Sequence, residues 1–95
     1  MLRVRFRVTG RVQGVGFRWW AEAQAQALGL AGFVRNDADG AVSGIAEGDA
    51  VALETFRGRL AEGPASARVA DVGWDMDAGP GTAAESLPFP FTIQR

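Results

Sequence analysis

The segment LRVRFRVTGRVQGVGFRWWAEAQAQAL, residues 2–28, decides how the fold is read. Its first eight residues alternate. Leu2, Val4, Phe6 and Val8 face one way, and Arg3, Arg5, Arg7 and Thr9 face the other. Strict alternation is the mark of a half-buried strand. The loop GRVQGVGFR, residues 10–18, follows with three glycines. Residues 17–28 then read as a helix, with Phe17, Ala21, Leu28 and either Gln24 or Ala25 near one stripe. Alanine, the best helix former, is abundant there, and Gly29 offers a C-terminal stop. A strand running through a glycine loop into a helix is a setting for an anion. Successive backbone N–H groups form a concave nest, and the helix N-terminus adds partial positive charge.

The same reading extends outward. Residues 31–36 and 41–47 look like two strands joined through DADG, whose Asp and Gly are a hairpin signal. Asp49 is placed to cap a second helix over 50–61, with Leu53, Phe56 and Leu60 as its core stripe, and Gly63-Pro64 ends it. Residues 67–76 predict a strand with Ala70, Val72, Trp74 and Met76 inward. Residues 78–88 predict a loop. Phe89, Phe91 and Ile93 alternate in a short last strand, which Pro90 assigns to a sheet edge. The order is βαββαβ plus a short C-terminal strand. It predicts an α+β, ferredoxin-like sandwich: an antiparallel sheet with two helices on one face. The 95 residues fit one domain, 1–95.

The residue alphabet excludes much chemistry. There is no His, Cys, Lys or Tyr, and all ten basic residues are Arg. A Ser-His triad, a His-based zinc site, a thiolate nucleophile, a Walker A lysine and a Schiff base are therefore absent. What remains is Arg, carboxylates, side-chain amides, hydroxyls and backbone N–H, of which Arg and N–H suit phosphate or carboxylate. The net charge of -1 argues against a general nucleic-acid binder. No segment is long and apolar enough for a bilayer, and no signal-peptide pattern opens the chain, so a cytoplasmic location without membrane attachment is expected.

Arg18 is the leading candidate for chemistry. It sits at the start of the first helix, where the helix dipole favours anions over cations. An anion between Arg18 and the glycine nest accounts for that placement; a plain surface arginine is the other reading. Asn36 is the only asparagine. Ahead of DADG it suits turn geometry. Turn chemistry is the reading its position alone favours, and orienting a water with its amide is the second. The aspartates do not fit a calcium-loop spacing. The row Arg3, Arg5, Arg7 reads as a solvated sheet face. Of Trp19 and Trp20, one is expected to pack in the core.

VTGRVQGVGFR (8–18) and GFVRNDADGAVSGIAEG (32–48) resemble the two signature segments of the acylphosphatase family. The first matches G-x-V-Q-G-V-x-F-R. The second matches G-F-V-x-N-x-x-x-G-x-V, with a glycine six residues later. The resemblance implies an enzyme that splits the carboxyl–phosphate bond of acyl phosphates into a carboxylate and inorganic phosphate. It implies that Arg18 binds the phosphate and that the backbone of Arg11, Val12, Gln13, Gly14, Val15, Gly16 and Phe17 completes the cradle. It implies that Asn36 positions the attacking water. No metal, cofactor or phosphoenzyme is implied. The expected partner is a small-molecule acyl phosphate, with the chain a monomer and no nucleic acid bound. Asp37, next to Asn36, would weaken binding if its carboxylate turned toward the substrate. The competing reading is a non-catalytic anion-binding module on the same fold. An RNA-binding variant would need stacking aromatics on its central strand, and AVSGIAEG has none.

Overall fold

The computed structural model describes residues 1–76 and 86–94. Its elements are β1 (Leu2–Arg11), α1 (Phe17–Ala27), β2 (Ala31–Asn36), β3 (Val42–Gly48), α2 (Ala50–Glu62), β4 (Arg68–Asp75) and β5 (Thr92–Ile93). They form one five-stranded sheet in the order β4-β1-β3-β2-β5. The alternation in β1 holds from Val4 onward, whereas Leu2, at the strand's start, is exposed. Val4, Phe6 and Val8 are fully buried and meet Phe17, Ala21 and Ala25 of α1 and Leu53, Phe56 and Leu60 of α2. Helix α1 lies over β2 and β5, and α2 lies over β4, β1 and β3. Phe56 stands edge-on to Phe6 at 5.5 Å and to Phe91 at 5.8 Å, so one ring ties α2 to the sheet centre and to the C-terminal segment. Burying each such ring contributes about 1.5–3 kcal/mol. The cap of α2 is the one expected: the Asp49 carboxylate accepts from the Ala52 N–H at 2.8 Å.

The α+β sandwich is as the sequence predicts, with three departures in detail. The core sheet of β4, β1, β3 and β2 is antiparallel, but β5 pairs parallel to β2, making the whole sheet mixed. The cause is parity. β4 ends at one margin of the sheet, and the next strand enters from that margin, which gives it the direction of β2. Next, β4 keeps Val72 and Trp74 inward as expected but changes phase at its start. The register slips between Thr9 and Gly10, so Asp71 faces Thr9 while Val69 faces Gly10, and Ala70 is the extra residue of a bulge. Val69, Val72 and Trp74 pack against the core, whereas Ala70 and Met76 are exposed. Third, the last strand is shorter than expected. Phe91 is buried but Phe89 is 71% exposed, because Pro90 brings no N–H to a ladder and pairing starts only at Thr92. Of the two positions the helix pattern left open, Ala25 completes the buried stripe of α1. The Gln24 amide oxygen instead accepts from Arg59 of α2 at 2.8 Å. Asp77 and residues 78–85 of the expected 78–88 loop lie outside the described residues.

Topology gathers three connections at one margin. β1 and β2 are both antiparallel to β3, so they run the same way and end together, at Arg11 and Asn36. The loop 12–16 leads from β1 into α1, and the turn 37–41 leads from β2 into β3. β4 begins opposite the end of β1, with Arg68 against Arg11, which brings the link 63–67 to the same place.

Candidate active site

The loop 12–16 is built from alternate anchors and free residues. Val12 and Phe17 are buried in the core at its two ends. Between them Gly14 and Gly16 adopt left-handed backbone, φ 75° and 78°, where a side chain adds strain. Gly16 is also the N-cap of α1. It provides no side-chain cap, and the first turn holds no acidic residue. The leading N–H groups of α1 thus have no acceptor from the helix's own first turn. Val15 packs against the core edge, and its carbonyl accepts from the Ser66 hydroxyl at 2.7 Å. On the other side, Gln13 donates to the carbonyls of Asp37 and Ala41 at 2.7 and 2.8 Å. The loop is therefore held between the 37–41 turn and the 63–67 link. Arg11, expected in the cradle, is the last residue of β1, facing Arg68 across the ladder.

Arg18 is the second residue of α1 and is half-buried. It makes no ion pair or side-chain hydrogen bond among the described residues. Asn36 ends β2, exposed, and its amide likewise has no hydrogen-bond partner among them. The two lie on the same side of the sheet. Asn36 pairs with Val42, and Val42 pairs with the core residue Val8. Side chains in one row share a face, so Asn36 emerges on the helix-covered side, where α1 begins. Two strand spacings, about 10 Å, separate it from the Val8 row of β1. Among the described residues the arrangement leaves a guanidinium and an amide without side-chain partners, and a string of backbone N–H groups, around one margin.

The carboxylates near this margin are turned away from it. Asp37 accepts from the Ser43 hydroxyl at 2.8 Å and pairs with Arg35 at 3.4 Å and with Arg7 at 3.9 Å. Arg7, Ser43 and Arg35 are directly opposite one another on the open face of the sheet, the side away from the helices. Asp39 accepts from Arg7 as well, and its other oxygen accepts from the Ala41 N–H at 3.1 Å. That N–H and then the Arg7 charge hold the Asp39 carboxyl below its ordinary value of 3.8. The conditional penalty from Asp37 thus does not arise in this geometry. The basic row is also less solvated than expected. Arg3 is only 7% exposed and pairs with Glu47 at 2.9 Å. A hollow of about 400 Å³ lies on this open face, bordered by Arg5, Phe33, Arg35 and Ile45, across the sheet from Arg18 and Asn36. Trp20 packs against Phe17 at 5.6 Å, whereas Trp19 is 67% exposed. Among the described residues no group of three or more carboxylates is placed to hold a metal ion, and no helix is long and apolar enough to cross a membrane.

Sequence reasoning placed Gln13 in the loop but missed what its side chain does, and it missed Ser66 altogether. Both act over 24 or more positions of chain, onto backbone carbonyls that no local pattern reveals.

The sequence and fold are similar to those of known proteins. The acylphosphatase family model matches residues 4–83, which include both glycine-bearing segments. The chain is 43% identical to an acylphosphatase of Rhizobium etli over 90 residues, covering 95% of this chain and 90% of that protein. It is 50% identical to an acylphosphatase of Koribacter versatilis over 83 residues, covering 87% and 74%. The crystal structure of acylphosphatase from Bacillus subtilis superposes with a TM-score of 0.89 at 36% identity, covering all of both chains. With the fold, both segments and near-complete coverage in agreement, the chain belongs to the acylphosphatase family.

Proposed function

We propose that the chain hydrolyses acyl phosphates to a carboxylate and inorganic phosphate by direct attack of water on phosphorus, with Arg18 and the 11–17 backbone holding the phosphoryl group and Asn36 holding the water. The observation that best supports these roles is that Arg18 and Asn36, on one side of one sheet margin beside the anchored loop, have no side-chain partner among the described residues. A guanidinium offers two parallel donors to phosphate oxygens, and backbone N–H groups offer the rest. The Asn36 amide oxygen accepts a hydrogen bond from the water and its NH₂ donates elsewhere, without acting as a base. The water oxygen bonds to phosphorus as the P–O bond to the acyl oxygen breaks. The carboxylate departs without needing a proton, and the water's proton passes to a phosphoryl oxygen, so a dianionic acyl phosphate gives a carboxylate and a monoanionic phosphate. Positioning and charge stabilisation suffice for so good a leaving group.

The enzyme acts as a cytoplasmic monomer on a small molecule, with no nucleic acid, metal or cofactor. The pairing of Arg3, Arg7 and Arg35 with carboxylates offsets much of the basic row on the open sheet, which supports a reading without a nucleic-acid partner.

Benzoyl phosphate hydrolysis tests the roles. Arg18→Ala is expected to lower kcat/KM about 10³-fold or more and to abolish inhibition by inorganic phosphate. Asn36→Ala is expected to lower kcat about 10²–10³-fold with phosphate inhibition nearly unchanged. EDTA is expected to have no effect. A folded wild type that binds phosphate without turning over benzoyl phosphate would point to an anion-binding module instead.

A further inference from the structure

Gln13 is the one polar side chain in the loop 12–16. Its amide orientation is unambiguous. Both contacts are carbonyl oxygens, those of Asp37 at 2.7 Å and Ala41 at 2.8 Å, and only the NH₂ end of the carboxamide can serve two acceptors. Those carbonyls already close the turn by themselves. The Ala41 carbonyl accepts from the Asp37 N–H at 2.8 Å, and the Asp37 carbonyl accepts from the Gly40 N–H at 3.2 Å. The turn therefore does not depend on Gln13 for its own bonds. What Gln13 adds is a link from the closed turn to the loop that begins α1. Asn36 is the residue immediately before Asp37, so the link fixes Asn36 relative to the loop.

We propose that Gln13 is a positioning residue for hydrolysis: its two hydrogen bonds set the separation between the water held at Asn36 and the phosphate held by the loop and Arg18. This rests on the roles given above for Arg18 and Asn36. β1 and β2 are not neighbours in the sheet, since β3 lies between them, so the ladder fixes their ends only through an intervening strand. A displacement of the order of 1 Å between reacting groups costs on the order of 10²-fold in rate. Gln13 restrains that distance directly at the reacting margin. Removing it leaves the cradle with its own anchors, Val12, Phe17 and the Ser66 bond, so phosphate binding persists.

The test is a cycle of four proteins: wild type, Gln13→Met, Asn36→Ala and the double variant, with folding checked by circular dichroism. Methionine keeps length and removes both donors. Gln13→Met is expected to lower kcat at least about tenfold while the inhibition constant of inorganic phosphate stays within about threefold. In the Asn36→Ala background the same change is expected to lower kcat by less than about twofold, because the water it positions is no longer held. If the two losses multiply in full, or if phosphate inhibition weakens in parallel with kcat, Gln13 acts on the fold or the cradle and the inference is overturned. If Asn36→Ala itself retains wild-type kcat, the water-holding role fails, and the Gln13 role with it. Gln13→Glu provides an independent readout. Its carboxylate would face two carbonyls, which raises its pKa above the ordinary value of about 4.3. On acidification the protonated carboxyl regains one donor, so kcat relative to wild type is expected to rise as pH falls from 8 to about 5. A flat ratio overturns the inference, and this profile decides alone if Gln13→Met does not fold.

Discussion

Replacing Gly10 with alanine separates two kinds of glycine that the segment GRVQGVG treats alike. Gly10 lies at the β1–β4 bulge with φ 122°, and a Cβ there would come within 2.2 Å of the Arg68 carbonyl oxygen and 2.6 Å of the Ala70 nitrogen. Both are backbone atoms of the neighbouring strand, so neither can swing aside. The substitution carries backbone strain of about 1–3 kcal/mol and overpacking of about 1–3 kcal/mol, together about 2–6 kcal/mol. A domain of this length has about 5–14 kcal/mol in all. At about 4–8 °C per kcal/mol, the melting temperature of Gly10→Ala should fall by about 10 °C or more. Gly14 is also left-handed, at φ 75°, but no atom lies within 4 Å of its added Cβ. Gly14→Ala should therefore lose only the strain of about 1–2 kcal/mol. Thermal unfolding followed by circular dichroism, with both variants beside wild type, is the assay. A Gly10→Ala protein melting within 2–3 °C of wild type, or a Gly14→Ala loss of equal size, would refute the reasoning that the β4 backbone decides the difference.

Two further outcomes follow from the packing and the charges. Phe56→Ala removes the ring that meets both Phe6 and Phe91, and should destabilise the protein by about 3–5 kcal/mol in urea unfolding; a change below 1 kcal/mol would mean the core collapses around the gap. The Asp39 carboxyl is depressed below 3.8, so its contribution is complete above that value and is lost as pH falls through the lower folded-state value. The difference in melting temperature between wild type and Asp39→Asn should accordingly shrink as pH drops below about 4, and a constant offset from pH 7 to about pH 2 would contradict it.

The open face shows how a pattern can be read correctly and still miss its partners. Alternation placed Arg3, Arg5 and Arg7 on one face because a strand's period is fixed by the backbone. It did not say that Arg3 meets Glu47 or that Arg7 meets Asp37 and Asp39, since those pairings depend on the register of β1 against β3. Asp37 is the instructive case. In the sequence it stands beside Asn36 and threatens an anion site, whereas in the fold adjacent residues point to opposite faces and Arg7, Arg35 and Ser43 hold it away. Gln13 reads as one more loop residue until the turn 37–41 is set beside it.

Local chemistry determined a good deal without the fold. Alternation marked β1, alanine and Gly29 bounded α1, Asp49 capped α2, and the glycine loop before a helix singled out Arg18. These features act within a few residues of chain, so they are written in order along it. The parallel pairing of β5, the bulge that put Val69 in place of Ala70, and the bond from Gln13 to the far turn were decided only in three dimensions. Each depends on which strand arrives beside which, and in what phase. That is set by burying one shared core and not by the residues nearest in sequence.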